Sequence, residues 1–128
     1  MSDMLRYILY GIADWVEQEL GINPSIDESQ RALDFNWAYG ETQHRIIFSL
    51  SDSLLTIKCD YLNSDNIPSR QFAYWLRQSR LFTPQLYDNR VYLTASFPLF
   101  DLSLSDINGL MWRYIADLQV WLDELTPA

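Results

Sequence analysis

Three consecutive segments between Arg31 and Tyr61 alternate between apolar and polar residues. Period-two alternation is typical of a strand with one buried face, because successive side chains point to opposite faces. Gly40-Glu41 separates the first two segments and Ser51-Asp52-Ser53 the second from the third, so short turns join them. The pattern therefore predicts a three-stranded antiparallel meander. Its in-facing positions are Leu33, Phe35, Trp37 and Tyr39, then His44, Ile46, Phe48 and Leu50, then Leu55, Ile57, Cys59 and Tyr61.

Two amphipathic helices are predicted at the ends of the chain. Apolar residues recur at helical spacing over residues 5–20, with Ser2 as the N-cap and Gly21 just past the last turn. A second stripe of this kind runs over residues 107–125, and Ser105 is placed to cap that helix. Both stripes are typical of helices that bury one side against a sheet or another helix.

A shorter helix is predicted to follow the meander and to begin near Pro68. Proline suits the first turn of a helix, and Asn66 or Ser69 is a possible cap. The spacing predicts an inner face formed by Phe72, Trp75, Leu76 and Ser79.

A β-hairpin is predicted between this helix and the last one. Leu81–Tyr87 and Arg90–Phe97 flank the turn residues Asp88-Asn89. Pro84 lacks an amide donor, which places the first of these strands at a sheet edge or at a bulge. Pro98 ends the second strand.

The predicted element order is α-β-β-β-α-β-β-α in a single domain that spans residues 1–128. Strands joined by short turns form an antiparallel sheet, and helices at both ends favour an α+β fold of about five strands with the helices packed on one face. Residues expected to be largely buried are Leu33, Phe35, Trp37, Phe48, Ile57, Val91, Leu93, Phe97, Leu110 and Leu118.

The composition narrows the class of partner. The chain of 128 residues has 48% apolar residues and a net charge of −8. Such acidity argues against nucleic acids and anionic membranes, whose binding depends on Lys and Arg. No apolar run approaches the roughly 18 residues of a membrane span, and no signal-peptide pattern is present. We therefore expect a cytoplasmic protein with no nucleic-acid or membrane partner.

The residue types needed for catalysis or metal binding are scarce. One histidine and one cysteine cannot build a zinc site, and the four glycines are isolated, so no glycine-rich phosphate loop exists. His44 alternates with apolar strand residues and is interpreted as a hydrogen-bonded strand residue, not a catalytic base. Cys59 is interpreted as a buried small hydrophobic residue. The sequence therefore predicts no catalytic, cofactor-binding or metal-binding residues, and disfavours an enzyme.

The most specific stretch is Arg90–Leu99 (RVYLTASFPL), followed by Leu102–Ser105 (LSLS) and the helix from Asp106. With the element order, it resembles the type III secretion chaperone-like fold, which includes the YbjN-like family of bacterial proteins. The resemblance implies a non-enzymatic binding role. Class I chaperones of this fold are small, acidic and usually homodimeric, and they bind an extended segment of a client protein.

Six residues are candidates for a partner interface because they lie off the apolar stripes of the three helices: Arg70, Tyr74, Arg77, Tyr7, Tyr10 and Trp112. Each of them is also compatible with an ordinary solvated surface position. Residues 58–90 hold five basic and three acidic residues, so the second helix lies in the positive part of a negative chain. We therefore hypothesise that this helix mediates self-association as a homodimer, with Arg70, Tyr74 and Arg77 in the contact.

Two classes of function stay open from the sequence. The first is a chaperone-like or adaptor protein that binds a protein client or a second copy of itself. The second is a small-ligand-binding protein, or an enzyme, with a pocket between the sheet and the helices. The scarcity of convergent His, Cys, Ser and Asp groups favours the first class.

Overall fold

A computed structural model describes residues 2–78, 80–99 and 104–124. Its helices are α1 (Asp3–Trp15), α2 (Ser69–Leu76) and α3 (Leu104–Asp123). Its strands are β1 (Ser25–Asp27), β2 (Ala32–Tyr39), β3 (Thr42–Leu50), β4 (Leu54–Asn63), β5 (Thr83–Tyr87) and β6 (Arg90–Pro98).

The six strands form one antiparallel sheet in the order β1-β2-β3-β4-β6-β5. β2, β3 and β4 are the predicted meander. The chain then leaves the sheet through α2 and returns as a hairpin, in which β6 pairs with β4 and β5 lies at the edge. The predicted α+β class and the edge position of the Pro84 strand are confirmed.

The sheet has one strand more than the sequence predicted. β1 consists of three residues, and its central Ile26 lies opposite Leu33 of β2. Three residues are too few to display an alternating pattern, so the pairing depends on the neighbouring strand and not on a local signal.

One face of the sheet is covered by helices and the other is open. Tyr61 on β4 donates its hydroxyl to the backbone oxygen of Trp121 on α3 at 2.6 Å, and the amide of Phe82 donates to Asp117 Oδ2 on α3 at 3.1 Å. The in-facing side chains of β2, β3, β4 and β6 form one core with the apolar sides of α1 and α3. The predicted one-sided packing is therefore confirmed. None of the described helices is long and apolar enough to cross a membrane.

The predicted ends of α1 and the predicted hairpin turn are confirmed. Ser2 Oγ accepts a hydrogen bond of 3.2 Å from the amide of Leu5, and a π-helical turn (Val16–Leu20) carries α1 on to Gly21. Gly21 has a φ of 68°, the left-handed conformation in which glycine is favoured. Asp88 and Asn89 both have positive φ, as a tight two-residue hairpin turn requires.

Details of α2 and α3 differ from the prediction. The N-cap of α2 is Pro68, so the predicted caps Asn66 and Ser69 are wrong. Leu76 is 52% exposed, because the helix ends there and turns this side chain away from the sheet. Helix α3 begins at Leu104, so Ser105 lies inside the helix and is not its cap. Ser79 and the last stripe residue, Leu125, lie outside the described residues.

Most of the predicted core is confirmed. Eight of the ten residues are buried, whereas Trp37 and Phe97 are only partly buried and pack against the core from its margin. Trp121, which falls on the edge of the α3 stripe, is fully buried instead. Trp75 of α2, Tyr61 of β4 and Arg80 all pack against its ring.

Candidate protein-binding surface

Helix α2 is held to the body of the protein by Trp75. This residue is buried, and its ring makes edge-to-face contacts with Tyr61 and Trp121, at centroid distances of 5.6 Å and 5.8 Å. Its Nε1–H donates a hydrogen bond of 3.1 Å to Glu124 Oε2 at the end of α3. Aromatic pairs of this geometry add to the free energy gained by burial, so this contact fixes the rotation of α2.

Arg80 strengthens the same attachment from the residues that follow α2. Its Nη2–H donates to Glu124 Oε1 at 2.7 Å, and its guanidinium carbon lies 4.4 Å from the centre of the Trp121 ring. Two buried donors near this contact, Arg80 Nη1 and Trp121 Nε1, have no hydrogen-bond acceptor among the residues that the structure describes. The carboxylate of Glu124 thus joins both Trp75 and Arg80 to α3.

With Trp75 buried, the opposite side of α2 faces solvent and carries Arg70, Tyr74 and Arg77. At 100° per residue their directions fall within about 60° of one another. All three are exposed, with 53% of Tyr74 accessible. We call these three residues the outward face of α2. Their predicted exposure is confirmed, whereas their role in binding stays a prediction.

A cleft of about 280 Å³ lies on another side of α2. It is formed where α2 packs near the hairpin, and it is lined by Ser64, Ile67, Ser69, Phe72, Leu86 and Val91. Leu86 on the edge strand β5 is 60% exposed, and Leu76 follows Phe72 by one helical turn. This side of α2 is therefore apolar, whereas the outward face is basic and aromatic.

The sequence reasoning placed Phe72 and Leu76 on a buried inner face of α2 and did not find that this apolar side is left partly uncovered. Leu86 alternates with polar residues on β5, and such a pattern predicts burial for it. The structure exposes Leu86 because β5 is the last strand of the sheet and α2, with only two turns, does not reach far enough to cover it. The local signal available was Pro84, which marks this strand as an edge.

The open face of the sheet carries the single lysine of the chain. Lys58 Nζ lies 4.4 Å from the ring centre of Tyr92 and 5.6 Å from that of Tyr87. Nearby, Arg90 forms an ion pair of 2.7 Å with Asp60, and Arg45 forms one of 2.9 Å with Asp34. The lysine is thus held by aromatic rings, and its charged neighbours are paired with each other.

The other three candidate residues lie on α1 and α3. Tyr7 is exposed, Tyr10 donates its hydroxyl to Glu28 Oε1 at 2.8 Å, and Trp112 packs edge-to-face on Trp15 at 5.2 Å. The hydrogen bond to Glu28 raises the pKa of the Tyr10 phenol. Among the described residues, no hydrogen bond, ion pair or ring contact joins these three side chains to the outward face of α2.

His44 and Cys59 have structural positions in the sheet. His44 is buried, with Nδ1 2.9 Å from the backbone oxygen of Asp60 and Nε2 2.8 Å from Thr42 Oγ1. Cys59 is fully buried, and burial raises the pKa of its thiol to about 12. The predicted positions, a hydrogen-bonded strand residue for His44 and a buried one for Cys59, are confirmed. Within the described part of the chain, no three His, Cys, Asp or Glu side chains are grouped as metal ligands would be.

Comparison with known proteins places the fold. No protein-family model and no curated protein matches the sequence. The solved structure of the ExsC–ExsE complex matches 99% of this chain and 99% of its own, with a TM-score of 0.66 and 17% identity. The structure of the HopA1–SchA chaperone–effector complex matches 96% of this chain and 99% of its own, with a TM-score of 0.61 and 14% identity.

These likenesses define the class of fold. At such low identity they concern the arrangement of helices and strands and not the side chains of a site. The predicted fold class, α+β of the type III secretion chaperone-like kind, is confirmed.

Proposed function

We propose that this chain is a non-enzymatic protein-binding protein that acts as a chaperone or adaptor. The observation that carries the proposal is the likeness, over nearly the whole chain, to proteins solved as complexes, one of them a chaperone with its effector. The exposed residues of α2 supply a surface of suitable composition, since Arg and Tyr are enriched at protein interfaces. The client is a protein of unknown identity.

We also propose that α2 mediates a homodimer, and that the contact uses the apolar side of the helix in place of Arg70, Tyr74 and Arg77, the residues first considered from the sequence. The apolar side of the helix supports this proposal, because Leu76 and Leu86 are exposed beside the cleft and a second copy would remove them from water. Membership of the YbjN-like family and a cytoplasmic location remain predictions from the sequence.

Site-specific photo-crosslinking tests the binding function. A benzophenone amino acid replaces Tyr74 in one variant and Gln119, an exposed residue of α3, in the control. We expect ultraviolet light to join a protein partner to the first variant and not to the second. The partner is then purified and titrated against the parent protein. If no crosslinked protein binds the parent in that titration, the proposed function is wrong.

A further inference from the structure

The arginines of this protein are paired with carboxylates in most places. Acidic residues outnumber basic ones by 17 to 9, so carboxylates are available around most cations. Five of the eight arginines form ion pairs within 4.0 Å: Arg6, Arg31, Arg45, Arg80 and Arg90. Among the described residues, three have no such partner: Arg70, Arg77 and Arg113.

Two of the three unpaired arginines lie on the outward face of α2. Arg70 and Arg77 are seven residues apart, which places them about 10 Å apart along the helix axis. Tyr74 lies between them on the same face. Residues 66–87 contain no Asp or Glu at all, so this face has a local positive charge in a protein of net charge −8.

Stabilisation of α2 explains the position of Arg77 but not that of Arg70. A cation at a helix C-terminus is favourable, and Arg77 occupies that position as the C-cap residue. Arg70, in contrast, lies in the first turn, where the helix dipole disfavours a positive charge and where α2 has no acidic residue. Arg70 therefore does not stabilise α2.

We infer that the outward face of α2 is a docking site for an acidic segment of another protein. This inference rests on the proposed protein-binding function and specifies the chemistry of the partner. The segment presents two carboxylates about two helical turns apart, which pair with Arg70 and Arg77, and an apolar or aromatic side chain between them that packs on Tyr74. Arginine suits this role because its planar fork binds carboxylates through two hydrogen bonds.

A two-fold contact of the outward face with the same face of a second copy would be unfavourable. A two-fold contact uses the same surface patch on both copies. It would place Arg70 and Arg77 of one copy against those of the other, with no carboxylate in residues 66–87 to separate them. Like charges placed face to face are unfavourable, so the proposed homodimer uses the apolar side of α2 and leaves the outward face free.

Three synthetic helical peptides with a fluorescent label test the inference by titration with the full-length protein. The first has two glutamates two turns apart with a leucine between them. The second has glutamine in place of both glutamates, and the third has the same glutamates placed on opposite sides of the helix. We expect the first to bind most tightly, with its Kd rising as NaCl is raised from about 0.05 M to about 0.2 M.

Single substitutions locate the binding site. Arg70→Gln and Arg77→Gln each remove one unpaired cation from the outward face, and Arg113→Gln removes the unpaired, exposed cation of α3 as a matched control. We expect each α2 variant to raise the Kd of the first peptide roughly fivefold, and the control to change it less than twofold. All three positions are exposed, so we expect the variants to fold like the parent.

Several outcomes would overturn the inference. Equal effects of Arg77→Gln and Arg113→Gln on the Kd would mean that only the net charge of the protein matters. Equal binding of the three peptides would show that the outward face does not recognise paired carboxylates. If the dimer binds the first peptide more weakly than the monomer does, a second copy of the chain covers the outward face. If the crosslinked partner binds the parent and both α2 variants equally, the docking inference fails while the protein-binding function stands. If photo-crosslinking yields no partner protein that binds the parent, the proposed function is wrong, whatever the peptide titrations show.

Discussion

The indole Nε1–H of Trp75 donates a hydrogen bond of 3.1 Å to Glu124 Oε2, joining the short helix α2 to the end of α3. The other oxygen of the same carboxylate accepts a bond of 2.7 Å from Arg80. Trp75 is the one described residue of α2 that is buried, so this contact decides which sides of the helix face solvent. The outward face and the apolar side both depend on it.

Replacement of Trp75 by phenylalanine tests this attachment. The substitution removes the donor to Glu124 and part of the ring volume, so we expect the free energy of unfolding to fall by about 1–3 kcal/mol. Trp112→Phe is the matched control, since Trp112 is 45% exposed and phenylalanine keeps an aromatic ring next to Trp15, and we expect a change within about 0.5 kcal/mol. Urea denaturation measures both. Equal midpoints for the two variants would contradict the role of Trp75.

Leu118→Ala tests the packing of α3 on the sheet. Leu118 is buried in the middle of α3, and truncation of a buried leucine typically costs about 2–5 kcal/mol. Val120→Ala, at an exposed position of the same helix, should change the stability by less than about 0.5 kcal/mol. A Leu118→Ala protein with the urea midpoint of the parent would show that α3 does not pack as described.

The sequence predicted those parts of the fold that have a local signal. The alternation in β2, β3 and β4 and the apolar stripes of α1 and α3 each lie within one segment, so a single segment was enough to identify them. Asp88-Asn89 similarly identified the hairpin, because few residue pairs accept positive φ at both positions.

The features that the sequence did not predict depend on contacts between distant segments. Ile26 belongs to a strand through its pairing with Leu33, and Trp121 is buried among side chains from other segments, including Trp75 of α2 and Tyr61 of β4. The exposure of Leu76 depends on where α2 ends. For the candidate site, the outward face could be predicted from helical spacing, whereas the lack of ion pairs at Arg70 and Arg77 required the structure.

Light scattering tests the proposed homodimer. We expect the parent to have the mass of a dimer, and Leu76→Glu with Leu86→Glu to give a monomer, because a carboxylate in an apolar contact is costly. Both leucines are exposed, so these substitutions leave the core intact. Tyr74→Ala with Arg77→Glu changes the outward face instead and should leave the dimer. A monomeric parent would exclude self-association through α2.

Alkaline pH should weaken the fold through Cys59. Burial raises the pKa of its thiol from 9.0 to about 12, so the folded protein holds this proton more tightly than the unfolded chain does. The stability is therefore complete below about pH 9 and falls as the pH rises from about 9 to about 12. Tyr61, whose pKa is also raised by burial, acts in the same direction.

Urea midpoints measured at about pH 8 and about pH 10.5 give the size of this loss. The control is Cys59→Ala, which lacks the thiol and should lose less stability between the two pH values than the parent. Each protein is compared with itself at the two pH values, so the cost of truncating the Cys59 side chain, which is the same at both, cancels. Equal losses in the parent and in Cys59→Ala would contradict the assignment to the thiol.

The strand order of the sheet has a consequence for the way the chain folds. The pairs β2–β3, β3–β4 and β5–β6 join neighbours along the chain and need only short loops. The pair β4–β6 is different, because the chain between Asn63 and Arg90, including α2, must first close into a loop. Loop closure of this length costs entropy before any contact is gained. We therefore expect the β2–β4 meander and the β5–β6 hairpin to form early, and the pairing of β4 with β6 to be the slow step.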